Sequence, residues 1–273
     1  QYGLARSGWL FCFVILFVAY DGPDVENFIM TPAARIAAVI VILADMQAAS
    51  EAGTLLGRQA GQWLRAGLQR RRYAGSGDRA AVGDLFWKIQ RGRARLGWHL
   101  ASIDAPANPR NTTLAALVLM EQKSAVLPQL FSAEIAYAPA PLDEREAALV
   151  SMLETRDFTD PAMPEHIALE WPEWLMADAK AGLGDGMARE LAALMSEAPT
   201  DVRINPLKQP DRRRLRDQLA GRGIKGHPTR LSPLGVRLEK RTRLEDLQEW
   251  KACLLYTSPS PRDAHESRMP SSA

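Results

Sequence analysis

The chain has 273 residues, with 34 Lys/Arg against 32 Asp/Glu for a net charge of +2, and 47% of it is hydrophobic. That length suffices for two domains with separate cores, and that apolar fraction excludes disorder as the default state. The two cysteines, Cys12 and Cys253, exclude a disulfide framework and a four-cysteine zinc site, which fits a reducing, cytoplasmic compartment.

Residues 1–29 hold an apolar run from Trp9 to Tyr20 behind Arg6. A helix needs about 20 apolar residues to cross a bilayer, so the run is short, and no small-x-small cleavage site precedes Asp21. Three origins stay open. The preferred one is an extension that is not native, with translation starting at Met30. The others are a signal or anchor using residues 9–20, and a buried segment.

From Thr31 to about Glu154 the pattern is helical. Thr31 caps and Pro32 opens a first helix to about Ser50, with Ile36, Val39, Ile40, Ile42 and Leu43 as its apolar stripe. A second, from about Thr54 to Arg71, aligns Leu56, Trp63, Leu64 and Leu68. The glycine-containing turn Tyr73–Asp78 starts a third helix from about Asp78 to Gly97. A buried helix begins at Thr112, and Pro128 interrupts the segment after it. The last starts at Asp143, where Glu146 completes a capping box.

Pro161 to Pro164 mark a linker, and a domain boundary is placed near residue 160. Pro172 opens a short helix that Gly182 stops, Asp185 begins another, and strand, basic helix and strand follow to about Lys240. The fold class is mainly α: a helical bundle over 30–160, then a small α+β, RRM-like module over 161–252. Residues 253–273, rich in Ser and Pro, read as a disordered tail. This tail resembles the translated read-through of a sequencing adapter, so no function is expected of it.

Enzymatic chemistry is hard to find in this chain. His99, His166, His227 and His265 are scattered without ligand spacing, so no metal is expected and surface or helix-end roles are the default. Gly182 to Gly186 (GLGDG) follows a helix instead of a strand, so it reads as a helix C-cap followed by an Asp185 N-cap, not a phosphate loop. Ser76 lacks nucleophile-elbow spacing, and neither cysteine has a base beside it.

The basic residues are segregated. Between Arg203 and Arg243 there are thirteen Lys/Arg against three Asp/Glu, and between Arg65 and Arg95 nine against two, in a chain whose total is +2. Such density is the electrostatic footprint of a polyanion, and nucleic acid is the usual one. Arg71, Arg72, Arg79, Arg203, Lys208, Arg212, Arg213 and Arg216 are the expected phosphate contacts.

The run from Pro199 to Lys240, preceded by Glu170-Trp-Pro-Glu-Trp-Leu175, resembles the segment ahead of the catalytic domain in the RsmB/NOP-type ribosomal RNA cytosine-C5 methyltransferases. The matching residues are Pro172, Glu173, Trp174, Leu175, Arg203, Ile204, Asn205, Leu207, Lys208, Ser232 and Pro233. Residues 30 to about 154 look like the NusB-like RNA-binding domain that precedes this segment in bacterial members. The resemblance implies small-subunit ribosomal RNA as partner, a monomer, no membrane, and S-adenosylmethionine as methyl donor in the complete family protein. After Ala252 the chain departs from the family. Cys253 stands where the family has Gly, and neither the donor loop nor the catalytic cysteines follow. The fragment is therefore expected to lack catalytic residues and bound cofactor. The rival expectations are a stand-alone NusB-like RNA-binding or antitermination module, and an exported or membrane-anchored protein.

Overall fold

The computed structural model describes residues 30–54, 59–196, 198–208, 211–240, 242, 244 and 247–257. The apolar run at 9–20, the origin of residues 1–29, His265 and the tail beyond Thr257 lie outside them. The chain divides into two compact units, up to Met176 and from Ala177 on.

The first unit is helical. Thr31 Oγ1 accepts the Ala34 N–H at 3.1 Å, and α1 runs Pro32–Glu51 with Pro at its first position, as its sequence signals require. Then come α2 (Ala60–Gln69), α3 (Ser76–Arg91), α4 (Arg93–Ala101), α5 (Pro109–Leu119), α6 (Leu127–Leu130), α7 (Glu144–Glu154) and α8 (Glu165–Ala168). α1 packs on α2, α3 and α5, and α5 on α4 and α7. Gly67 lets α2 approach α1 closely, since a Cβ there would collide with Ile42. The core is built from Ile42, Phe86, Leu96, Leu100, Leu114 and Leu117, each burial contributing about 1.5–3 kcal/mol. Among the described residues α1 alone is long and apolar enough to cross a membrane, and here its Ile36, Val39 and Ile42 are buried in this core.

The helical unit departs from the sequence reading in part. The expected single helix from Asp78 to Gly97 is two, α3 and α4, broken at Gly92. Phe158 occupies the space a Cβ at Gly92 would need, and the Glu170 carboxylate accepts the Ala94 and Arg95 N–H groups at 2.8 and 2.9 Å, capping α4 from far along the chain. Because Phe158 and Glu170 dock on α4 in this way, the first compact unit extends past the linker expected near residue 160 to Met176.

A buried carboxylate ties the unit together. Asp78 accepts from Met30 N–H at 3.1 Å, from Gly75 N–H at 3.2 Å and from Arg35 Nε at 2.9 Å, joining the start of α1 to the start of α3. Burial raises its pKa, but the hydrogen bonds from Met30, Arg35 and Gly75 outweigh this and hold the group below its ordinary value.

In the second unit the sequence writes apolar-polar alternation around an amphipathic basic helix. α9 (Met176–Leu183) crosses the division between the units, and α10 spans Met187–Met195; between them Gly184 takes φ +55°, and Gly186, not the expected Asp185, precedes the first residue of α10. β1 (Thr200–Ile204), α11 (Arg212–Gly221), β2 (Gly226–Pro228), β3 (Gly235–Leu238), α12 (Gln248–Lys251) and β4 (Leu255–Thr257) follow. The sheet order is β2-β3-β1-β4 with all neighbours antiparallel, which is the ferredoxin-like βαββαβ arrangement. Val202, Ile204, Val236 and Leu255 turn to one face, where Leu215 and Leu219 of α11 complete the core.

β4 corrects the expectation that disorder begins at residue 253. Residues 255–257 pair with β1, and Leu255 is buried opposite Ile204, because the sheet offers an unpaired β1 edge and an apolar slot that this short segment fills. Cys253, in the turn before it, takes φ +56°, the left-handed region that costs a residue with a Cβ about 1–2 kcal/mol.

The buried carboxylate and the left-handed turn can each be tested. Because the folded pKa of Asp78 lies below its unfolded value, its stabilisation is complete above about pH 4 and is lost as pH falls through the folded value. Asp78→Asn should lower stability at pH 7 by about 2 kcal/mol and flatten the acid limb, as read by urea melts across pH. In the second unit, Cys253→Gly should raise the urea midpoint by the equivalent of about 1 kcal/mol.

Candidate nucleic-acid interface

The structure separates arginines that face solvent from arginines that hold the fold. In the turn between α2 and α3, Arg71 Nη1 donates to the Gly67 carbonyl at 2.9 Å. Arg79 Nε donates to the Ala74 carbonyl at 2.9 Å and its Nη2 to the Arg71 carbonyl at 3.3 Å. Arg72 is exposed and makes no ion pair among the described residues. Elsewhere in this cluster Arg70 pairs with Asp45 and Lys88 with Glu121. Arg95 bonds Glu170 at 3.0 Å and Thr159 at 3.1 Å and lies 4.0 Å over the Phe158 ring. The outward charge of this cluster is therefore smaller than its count of nine.

In the second unit Leu215 and Leu219 set the buried face of α11. Arg212, three residues before Leu215, falls on that face and donates to the carbonyls of Ser232 at 3.1 Å and Gly235 at 3.4 Å. Arg213 and the neighbouring Arg214 are exposed, and Arg216 has only a loose 3.5 Å pair with Asp217. Lys225, Arg230 and Lys240 are exposed as well. The outward positions of Arg214 and Arg230 were not among those expected, although the Leu215/Leu219 spacing carried the signal for the first. Arg237 makes a bidentate pair with Asp201 at 2.8 Å, and this hydrogen bond holds the Asp201 carboxyl low and the Arg237 guanidinium high.

The motif Arg203-Ile-Asn-x-x-Lys208 has a geometry of its own. Arg203 Nη2 donates to the Tyr256 hydroxyl at 3.1 Å, its guanidinium 4.8 Å from the ring. Asn205 Nδ2 donates to the Cys253 carbonyl at 3.1 Å, the Asn205 N–H to the Leu254 carbonyl at 2.8 Å, and Lys208 Nζ to the Ala252 carbonyl at 3.1 Å. Asn205 and Lys208 bind the main chain of the segment leading into β4, and Arg203 holds Tyr256 within β4.

His99, expected at the surface or a helix end, sits near the end of α4 but is fully buried, its Nε2 3.3 Å from the Phe158 carbonyl. Burial lowers its pKa, so the ring is a neutral part of the core. Among the described residues no three His, Cys, Asp or Glu side chains gather as a metal-binding set.

Fold and surface together define a basic α+β module joined to a helical unit. Residues 171–245 match the family model of the RsmF/B-like methyltransferase ferredoxin-like domain. The crystal structure of PH0851 is similar over 84% of this chain and 53% of its own, with a TM-score of 0.52 and 12% identity, a likeness of fold alone. The chain spans about half the length of that protein. No curated protein matches it.

If the motif holds main chain, Asn205→Ala and Lys208→Met should each speed amide exchange within residues 254–257 by about fivefold, the equivalent of one net hydrogen bond. Exchange in α1 to α5 should stay unchanged, as hydrogen-exchange mass spectrometry would report.

Proposed function

We propose that this chain is the RNA-recognition portion of an S-adenosylmethionine-dependent ribosomal RNA cytosine-C5 methyltransferase. The match of residues 171–245 to the RsmF/B-like ferredoxin-like domain carries the reading. The exposed cations Arg213, Arg214 and Arg230 support it, because they sit at the end of the sheet where β1 leads to α11 and β2 to β3. Phosphates need only such unpaired positive density for affinity; base readout needs further groups. In this reading the helical unit is a NusB-like domain, the partner is small-subunit ribosomal RNA, and the compartment is cytoplasmic.

The described residues do not fit the methyl donor. The four described strands run antiparallel, whereas nucleotide-like ligands bind beyond the carboxyl ends of parallel strands at a glycine-rich turn. The turn from β1 to α11 contains no glycine. In this reading methyl transfer belongs to a separate catalytic domain of the complete protein.

Among the expected phosphate contacts, Arg72, Arg213 and Arg216 keep that role, and Arg214 and Arg230 join them. Arg71, Arg79, Lys208 and Arg212 donate to carbonyls, and Arg203 to Tyr256, so their first role is structural. Replacing Arg213, Arg214 and Arg216 together by Gln should weaken binding to a single-stranded ribosomal RNA fragment. It should also reduce the slope of log K against log salt by about 0.7 for each phosphate no longer neutralised. An unchanged affinity and slope in fluorescence anisotropy titrations would refute the assignment.

A further inference from the structure

The turn after α2 holds an arrangement that charge counting does not explain. Tyr73 is 55% exposed, and Arg72 beside it is exposed and unpaired among the described residues. Both border a shallow, open cleft between α1 and α2 that Asp45, Trp63, Ala66 and Arg70 also line. Asp45 is neutralised there by its pair with Arg70.

The turn is also braced. Arg71 holds the Gly67 carbonyl, Arg79 holds the carbonyls of Ala74 and Arg71, and the Ala74 N–H donates to the Arg71 carbonyl at 3.0 Å. Asp78 fixes Gly75 from the other side. Two guanidinium groups and a carboxylate thus immobilise a turn that displays Arg72 and Tyr73. Preorganisation of this kind removes ordering cost from binding, and it serves no packing purpose for a ring left in water.

The geometry points to this cleft as a site for a single unstacked RNA base, stacked on Tyr73, with the adjoining phosphate on Arg72. The inference rests on the proposed RNA-binding function and adds a base-contacting site to it. A protein partner would favour a broader apolar patch than one ring. Nucleic acid matches an aromatic face next to an unpaired cation, because every base offers a π-face and every nucleotide a phosphate.

The test compares the full chain and its variants on two fluorescein-labelled single strands of equal length, one of ribosomal sequence and one with the same backbone but abasic. Tyr73→Ala should weaken binding of the base-containing strand about tenfold and leave the abasic strand unchanged, and Tyr73→Phe should bind both like the wild type. Tyr73 is exposed, so folding is not at stake, and circular dichroism melts of both variants should overlay the parent. Equal affinity of Tyr73→Ala and wild type for the base-containing strand overturns the site, as does an equal loss on both strands. If the Arg213, Arg214 and Arg216 variant still loses affinity in that case, the broader RNA reading stands without this cleft. If the wild type binds neither strand, both fall.

Discussion

A carboxylate almost wholly out of water must have its charge answered, and at Asp78 the answer organises the helical unit. Its oxygens take the Met30 N–H before α1, the Arg35 side chain within α1 and the Gly75 N–H before α3. Those bonds set where α1 and α3 begin relative to each other. α2, admitted by Gly67, and α5 then pack on α1, and α4 and α7 pack on α5. The same carboxylate anchors one end of the turn that displays Arg72 and Tyr73, so core geometry and surface presentation share one ionic contact.

The same constraint, turned around, governs the arginines. A guanidinium carries five donors, and wherever its stem lies along packed surface those donors are drawn to nearby carbonyls. Arg71, Arg79 and Arg212 close turns in this way, and Arg95 joins α4 to residues 159 and 170. Counting basic residues therefore overstates the charge offered to a partner. Solvent meets a smaller set, whose neighbours have been made rigid by the others.

Local signals were readable where the partners are close in sequence. Thr31 with Pro32, and Asp143 with Glu146, start α1 and α7 as their capping chemistry dictates. The pair Leu215 and Leu219 already distinguished Arg212 from Arg213 and Arg214 by helical spacing, though charge density drew attention to all of them alike. The break at Gly92 was not readable, because its causes, Phe158 and Glu170, arrive from more than sixty residues away. β4 was hidden for a similar reason. Its three residues have no pattern of their own and become a strand only because β1 presents an open edge.

The hold on residues 252–254 is taken mainly on carbonyl oxygens, which every amino acid possesses. A junction that grips the backbone leaves the exposed side chains of Ala252 and Cys253 free to vary, while Leu255 and Tyr256 are held through their own side chains. The course of the chain from α12 into β4 is thereby set by Asn205 and Lys208, whatever side chains stand at 252 and 253.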